Sequence, residues 1–116
     1  MMRPTFHLVP AAVWAATAPN SAYLPESLAS EGFVHCTDGE GELLATANRH
    51  YRLDPRPFLV LTLDLELIHA RWTVEDPSAI YPHIHGPVDW RSIIDVRPLS
   101  RAADGRFVAI VSEPIA

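Results

Sequence analysis

Few residues in this chain can carry chemistry near neutral pH: six histidines, one cysteine and fourteen carboxylates, while all nine basic residues are arginine. The absence of lysine excludes Schiff-base enzymes, P-loop nucleotidases and lysine general bases, each of which needs an ε-amino group. The most informative segment is Glu31 to Glu40 (EGFVHCTDGE), where His35 and Cys36 end a short apolar run. Thr37 to Glu40 then matches the T-x-x-E capping box, which predicts a helix beginning directly after Cys36. The N–H groups and partial positive charge of such a helix would favour an anion such as a phosphate and lower the pKa of a nearby thiol. In a strand, Phe33 and His35 share one face and Val34 and Cys36 the other, so His35 and Cys36 do not form a direct pair. The plainer reading of Cys36 is a small buried hydrophobe, and that of His35 a strand-end histidine bonded to backbone.

His7 stands between Phe6 and Leu8 inside a short apolar strand, where a polar side chain must find a partner or face a cleft. Both readings stay open. The segment Glu75 to Pro87 (EDPSAIYPHIHGP) places His83 and His85 on one side of an extended chain, which is half of a zinc site that His7, His35 or Glu75 could complete. No C-x-x-C or H-E-x-x-H accompanies the pair, so a loop with one histidine in a cleft is the simpler account. Of the adjacent acids, Glu75 is the better candidate for a site and Asp76, before Pro77, the better turn residue. Arg49, Arg52 and Arg56 surround His50 at the end of an expected helix, either as a solvated, dipole-stabilised end or as a phosphate contact. Trp14, Trp72, Trp90, Tyr23 and Tyr81 read as core or rim aromatics, any of which could stack a planar ring. Neither a G-x-S-x-G elbow nor a G-x-G-x-x-G loop is present.

The elements that must position these groups are short and punctuated by eleven prolines. Thr5 to Val9 reads as a strand and residues 11–18 as an alanine-rich helix with Pro10 at its first position and Pro19 at its end. Pro25 opens a further helix through Ala29, closed by Gly32 as C-cap. Phe33 to Cys36 is a strand. The helix after it buries the stripe Leu43, Leu44, Ala47 and Tyr51. Phe58 to Leu65 has the apolar character of a strand covered on both faces. Extended pieces follow at Ala70 to Val74 and Pro82 to Ile84, and the Asp104–Gly105 turn signal joins Ile94–Leu99 to Phe107–Val111 as a terminal hairpin. The expected class is α+β: one domain over residues 1–116, with short helices packed on a mixed or antiparallel sheet.

A net charge of −5 argues against general nucleic-acid binding, although a local arginine patch could hold one phosphate. A single cysteine forms no internal disulfide, the N-terminal residues lack a signal-peptide pattern, and the longest apolar run is too short to span a bilayer. The expectation is a cytoplasmic protein with no membrane partner.

Three blocks, FHLVPAAVW (6–14), YLPESLASEGFVHCT (23–37) and EDPSAIYPHIHGP (75–87), together resemble the bacterial proteins grouped as domain of unknown function 952. That resemblance implies a compact ADP-ribosyltransferase-like fold related to the RNA 2′-phosphotransferases, with NAD as co-substrate and no metal. By the same resemblance His7 would contact the ribose of NAD, His35 would lie beside the nicotinamide, and Glu75 or His83 would complete the site. Trp14, Tyr23, Cys36, Thr37, Tyr81 and His83 are the accompanying ligand-binding candidates, and the acceptor is left open. Two departures keep a non-catalytic nucleotide- or phosphate-binding module as the alternative. The second-strand position is histidine where the H-Y-E enzymes have tyrosine, and the phosphotransferase arginines have no clear counterpart. A zinc-assisted hydrolase using His83 and His85 is the third reading.

Overall fold

Alternation along the first strand sets the architecture. In the computed structural model, which describes residues 1–115, strand β1 (Pro4–Pro10) turns Thr5, His7 and Val9 inward and leaves Phe6 and Leu8 half-buried on the opposite face. It pairs antiparallel with β3 (Phe58–Asp64), which pairs with β6 (Ile93–Arg101), which pairs with β7 (Phe107–Ile110), giving the order β1-β3-β6-β7. A second, three-stranded antiparallel sheet has the order β2-β5-β4, built from Val34–His35, Pro82–Ile84 and Trp72–Val74 respectively. Every pairing is antiparallel, and the two sheets curl together through one main-chain bridge, Phe6 with Thr37. The class is α+β in one domain.

All seven residues of β3 are buried, because each face of the large sheet is covered. Leu59, Leu61 and Leu63 pack with Val34, Cys36 and Ile84 of the small sheet, together with Tyr23 and Val88. On the other face Phe58 meets Ala47 of α3 (Glu40–Tyr51) and Phe107 of β7, flanked by Leu8, Leu44, Tyr51 and Leu99. The expected stripe of α3 is therefore the one that packs, with Leu43 and Ala47 fully buried.

Several boundaries differ from expectation, each for a local reason. Helix α3 starts at Glu40 behind Gly39, whose φ of 87° makes it the N-cap, so Thr37 caps nothing. Thr37 instead exchanges main-chain hydrogen bonds with Phe6 at 2.8 and 3.0 Å, a long-range pairing that overrides the local T-x-x-E signal. Helix α1 covers only Ala11–Ala15, and Pro10 is its N-cap while still ending β1. Helix α2 (Glu26–Glu31) keeps Pro25 before it and Gly32 after it in the left-handed region at φ 86°.

Arg101 shows what an all-arginine chain permits. Its guanidinium lies 4.2 Å above the Phe107 ring and donates to the carbonyls of Tyr51, Arg52, Arg56 and Gly105, closing the C-terminal end of α3 against the β6–β7 hairpin. A planar fork serves several carbonyls at once where an ammonium could not. Gly105 sits beneath it at φ +91°, and a side chain there would strike the Arg52 carbonyl. Gly105→Ala is expected to destabilise the fold by about 1–3 kcal/mol, read as a lowered thermal midpoint with an unchanged circular dichroism spectrum.

Candidate functional site

The two sheets touch at the Phe6–Thr37 bridge, the one main-chain pairing between β1 and the segment after β2 among the described residues. Past that bridge the facing edges part, and a cleft of about 870 Å³ opens between them. That volume falls within the roughly 300–1,000 Å³ usual for small-molecule sites. Its lining includes His7, Cys36 and Thr37, residues of α2 with Pro25, residues of α3, and Tyr81 and His83.

His7 fills the gap where the strands part. Its Nδ1 lies 2.6 Å from the His35 carbonyl and its Nε2 2.8 Å from the Tyr23 hydroxyl. A carbonyl only accepts, so Nδ1–H donates to His35 and the bare Nε2 accepts from Tyr23 O–H; the ring is neutral. Burial holds the imidazole far below its ordinary value, to about 4, with the His35 carbonyl as a smaller opposing influence. Burial likewise pushes the Tyr23 phenol up. Tyr23 is fixed in turn by main-chain bonds to Val88 at 2.9 and 3.0 Å and by the edge of Trp14, whose ring centroid is 6.0 Å away. Trp14 thus touches the site through Tyr23 and does not itself line the cleft.

His35 is exposed on the outer face of β2, opposite His83 of β5 in the strand register. Phe33 stacks on His83 at 4.2 Å with 17° between planes and meets the His35 ring edge-on at 4.7 Å, which makes a small aromatic wall. His35 Nε2 is 2.9 Å from Glu31 Oε2, an exposed imidazole–carboxylate pair. Partial burial lowers the His83 pKa, the neighbouring His35 and His85 add to this, and Glu75 and Asp76 oppose it. Glu75 is exposed and not part of the cleft lining, whereas Asp76 is part of it. Asp76 nevertheless has turn chemistry: it accepts from the Ser78 hydroxyl and from the N–H groups of Ile80 and Tyr81.

Cys36 is 3% exposed, and burial raises its pKa. The expected helix N-terminus beside it lies further along the chain, and its first turn already carries Glu40 and Glu42, so the lowered thiol pKa and the anion site there do not arise. His85 does face the same side as His83, but its Nε2 is bonded to the Thr73 hydroxyl at 2.9 Å. Among the described residues no three or more His, Cys, Asp or Glu side chains are placed to hold a metal ion.

A family model for a protein of unknown function, DUF952, matches residues 8–96. The chain belongs to the DUF952 family. A similar solved structure is the X-ray structure of protein CC0527 from Caulobacter crescentus, 19% identical, with a TM-score of 0.74 over 91% of this chain and 94% of that one. A double methionine variant of CC0527 matches with the same values. At that identity the likeness is one of fold. No curated protein matches the chain. No helix among the described residues is long and apolar enough to cross a membrane.

Sequence reasoning singled out His7, Tyr23, His35, Cys36, Thr37, Tyr81 and His83 of the lining of this DUF952 cleft but missed Glu31 and the cleft position of Asp76. Glu31 precedes His35 by four residues, yet Gly32 ends the helix between them, so no helical periodicity signals their meeting.

Two outcomes are expected from the His7 network. The unfolded chain holds the imidazole proton up to about 6.5 and the folded chain only below about 4, so between these values the unfolded state binds more protons and stability rises with pH. Urea unfolding should show full stability above pH 6.5 and a loss of roughly 3 kcal/mol by pH 4, a dependence that His7→Gln abolishes. Tyr23→Phe strands a buried acceptor and should cost about 1–3 kcal/mol in the same assay at pH 7.5.

Proposed function

We propose that this DUF952 protein has an ADP-ribosyltransferase-like design and that its cleft binds a nucleotide of the NAD or ADP-ribose class. The observation that supports this is the gathering of His7, Tyr23, His35, Tyr81 and His83 from separate segments along one opening between parting strand edges. In this reading the Phe33–His83–His35 wall takes a planar ring and His7 holds Tyr23 and the His35 main chain in place. His7 uses both ring nitrogens within the protein, so its role is positioning.

One observation favours a second reading, transfer chemistry on NAD. The His35–Glu31 pair puts a carboxylate and an imidazole, exposed to solvent, together in the cleft lining. Cleavage of the nicotinamide–ribose bond passes through an oxocarbenium-like state, which a fixed negative charge stabilises. Glu31 is the better-placed acid for that task, since Glu75 stands outside the lining.

Titration of the labelled protein with NAD and with ADP-ribose, followed by amide shifts, tests the binding reading. Shifts at Phe33, His35 and Tyr81 are expected, and His35→Ala should weaken binding roughly tenfold. Silence of all three amides with both ligands would overturn it. Release of nicotinamide that Glu31→Gln suppresses and Glu75→Gln leaves intact would establish cleavage of the nicotinamide–ribose bond, and ADP-ribose attached to an acceptor other than water would establish transfer. Binding without release assigns the non-catalytic module.

A further inference from the structure

Three arginines cluster at the C-terminal end of α3 and just beyond it, and the fold treats them differently. Arg52 pairs with Asp104 at 3.1 Å, outside the cleft. Arg56 lines the cleft but is held by Asp54 at 2.7 Å, and this ion pair keeps the Asp54 carboxyl down at about 2. Arg49 also lines the cleft and has no carboxylate partner among the described residues. Its Nη2 reaches only two neutral oxygens at long range, the Tyr81 hydroxyl at 3.3 Å and the Thr46 hydroxyl at 3.4 Å.

Arg49 is solvent-exposed where it lines the cleft, so its guanidinium is open to an incoming anion. The acids that share the cleft are otherwise engaged or placed. Glu31 is bonded to His35, the Asp76 oxygens take three donors of their own loop, and Glu26 stands in the first turn of α2. We infer that Arg49 and Tyr81 form the subsite that receives a phosphate group of the bound ligand. The guanidinium offers a fork matched to two phosphate oxygens, and the Tyr81 O–H, weakly held by Arg49, turns to donate to a third. The Asp76 loop supplies the seat: the Tyr81 N–H is bonded to Asp76 Oδ1 at 3.0 Å, which fixes the backbone from which the phenol projects.

This subsite deepens the nucleotide reading, since it assigns the phosphate end of such a ligand to α3 and leaves the aromatic wall for a ring. Its chemistry also suits a simpler phosphorylated ligand, so inorganic pyrophosphate is the first probe and ADP-ribose the second. Calorimetric titration of the wild type, Arg49→Gln, Tyr81→Phe and Arg52→Gln decides the matter, with circular dichroism confirming that each variant is folded. Pyrophosphate should bind the wild type and weaken with added salt. Arg49→Gln should lose roughly 10- to 100-fold in affinity, the scale of charge-assisted hydrogen bonds, and Tyr81→Phe a smaller factor, while Arg52→Gln should match the wild type. No pyrophosphate binding, equal binding by Arg49→Gln, or an equal loss in Arg52→Gln would overturn the subsite. ADP-ribose that binds without regard to Arg49 overturns the subsite and leaves the nucleotide reading standing. Arg49-dependent pyrophosphate binding with no ADP-ribose binding supports the subsite and overturns the nucleotide reading.

Discussion

Where β1 and β2 part, a main-chain carbonyl that would otherwise lose its partner accepts a hydrogen bond from a side chain. The His35 carbonyl takes the Nδ1–H of His7 at 2.6 Å, and the other ring nitrogen takes the hydroxyl of Tyr23, which is itself bonded through its main chain to Val88. The His7 imidazole supplies that carbonyl with a partner where no strand bond does, which offsets the cost of leaving it unpaired. The cleft depends on that substitution of side chain for ladder. Burial explains why the ring is neutral, since an imidazolium there would lose its hydration.

Charge is distributed with comparable economy. Several arginines work within the protein: Arg3 forks onto Asp38, Arg52 and Arg56 hold Asp104 and Asp54, and Arg101 closes the end of α3 on four carbonyls. These pairs at the surface add little stability individually, but they leave the cleft with a small and uneven set of unpaired groups. Arg49 of α3 and the His35–Glu31 pair of β2 and α2 all line the cleft, and a ligand that carries both an anionic group and a planar ring matches that mixture.

Local patterns made much of the fold legible. Pro25 and Gly32 bracket α2, the largely apolar run Phe58 to Leu65 contains the doubly covered β3, and Asp104–Gly105 turns the last hairpin. The T-x-x-E signal at Thr37 failed because a pairing with Phe6, thirty-one positions back in the chain, satisfies the same backbone groups. Cys36 followed from strand alternation, which put it on the buried face opposite His35, while the expectation of a low thiol pKa rested on the misplaced helix start.

The sequence by itself determined which residues were available and the order of the short elements: no lysine, six histidines, and strands and helices marked by proline, glycine and apolar period. It also placed His7 as a polar residue in an apolar strand, which had to find a partner or face a cleft. The tertiary structure alone decided that the partner is the His35 carbonyl, that Glu31 and not Glu75 reaches His35, and that Arg49 is the arginine of its cluster left without a carboxylate. The physical reason is that these outcomes depend on strand register and on which distant surfaces the apolar faces bury. Periodicity along the chain specifies each face but carries no record of what it will meet.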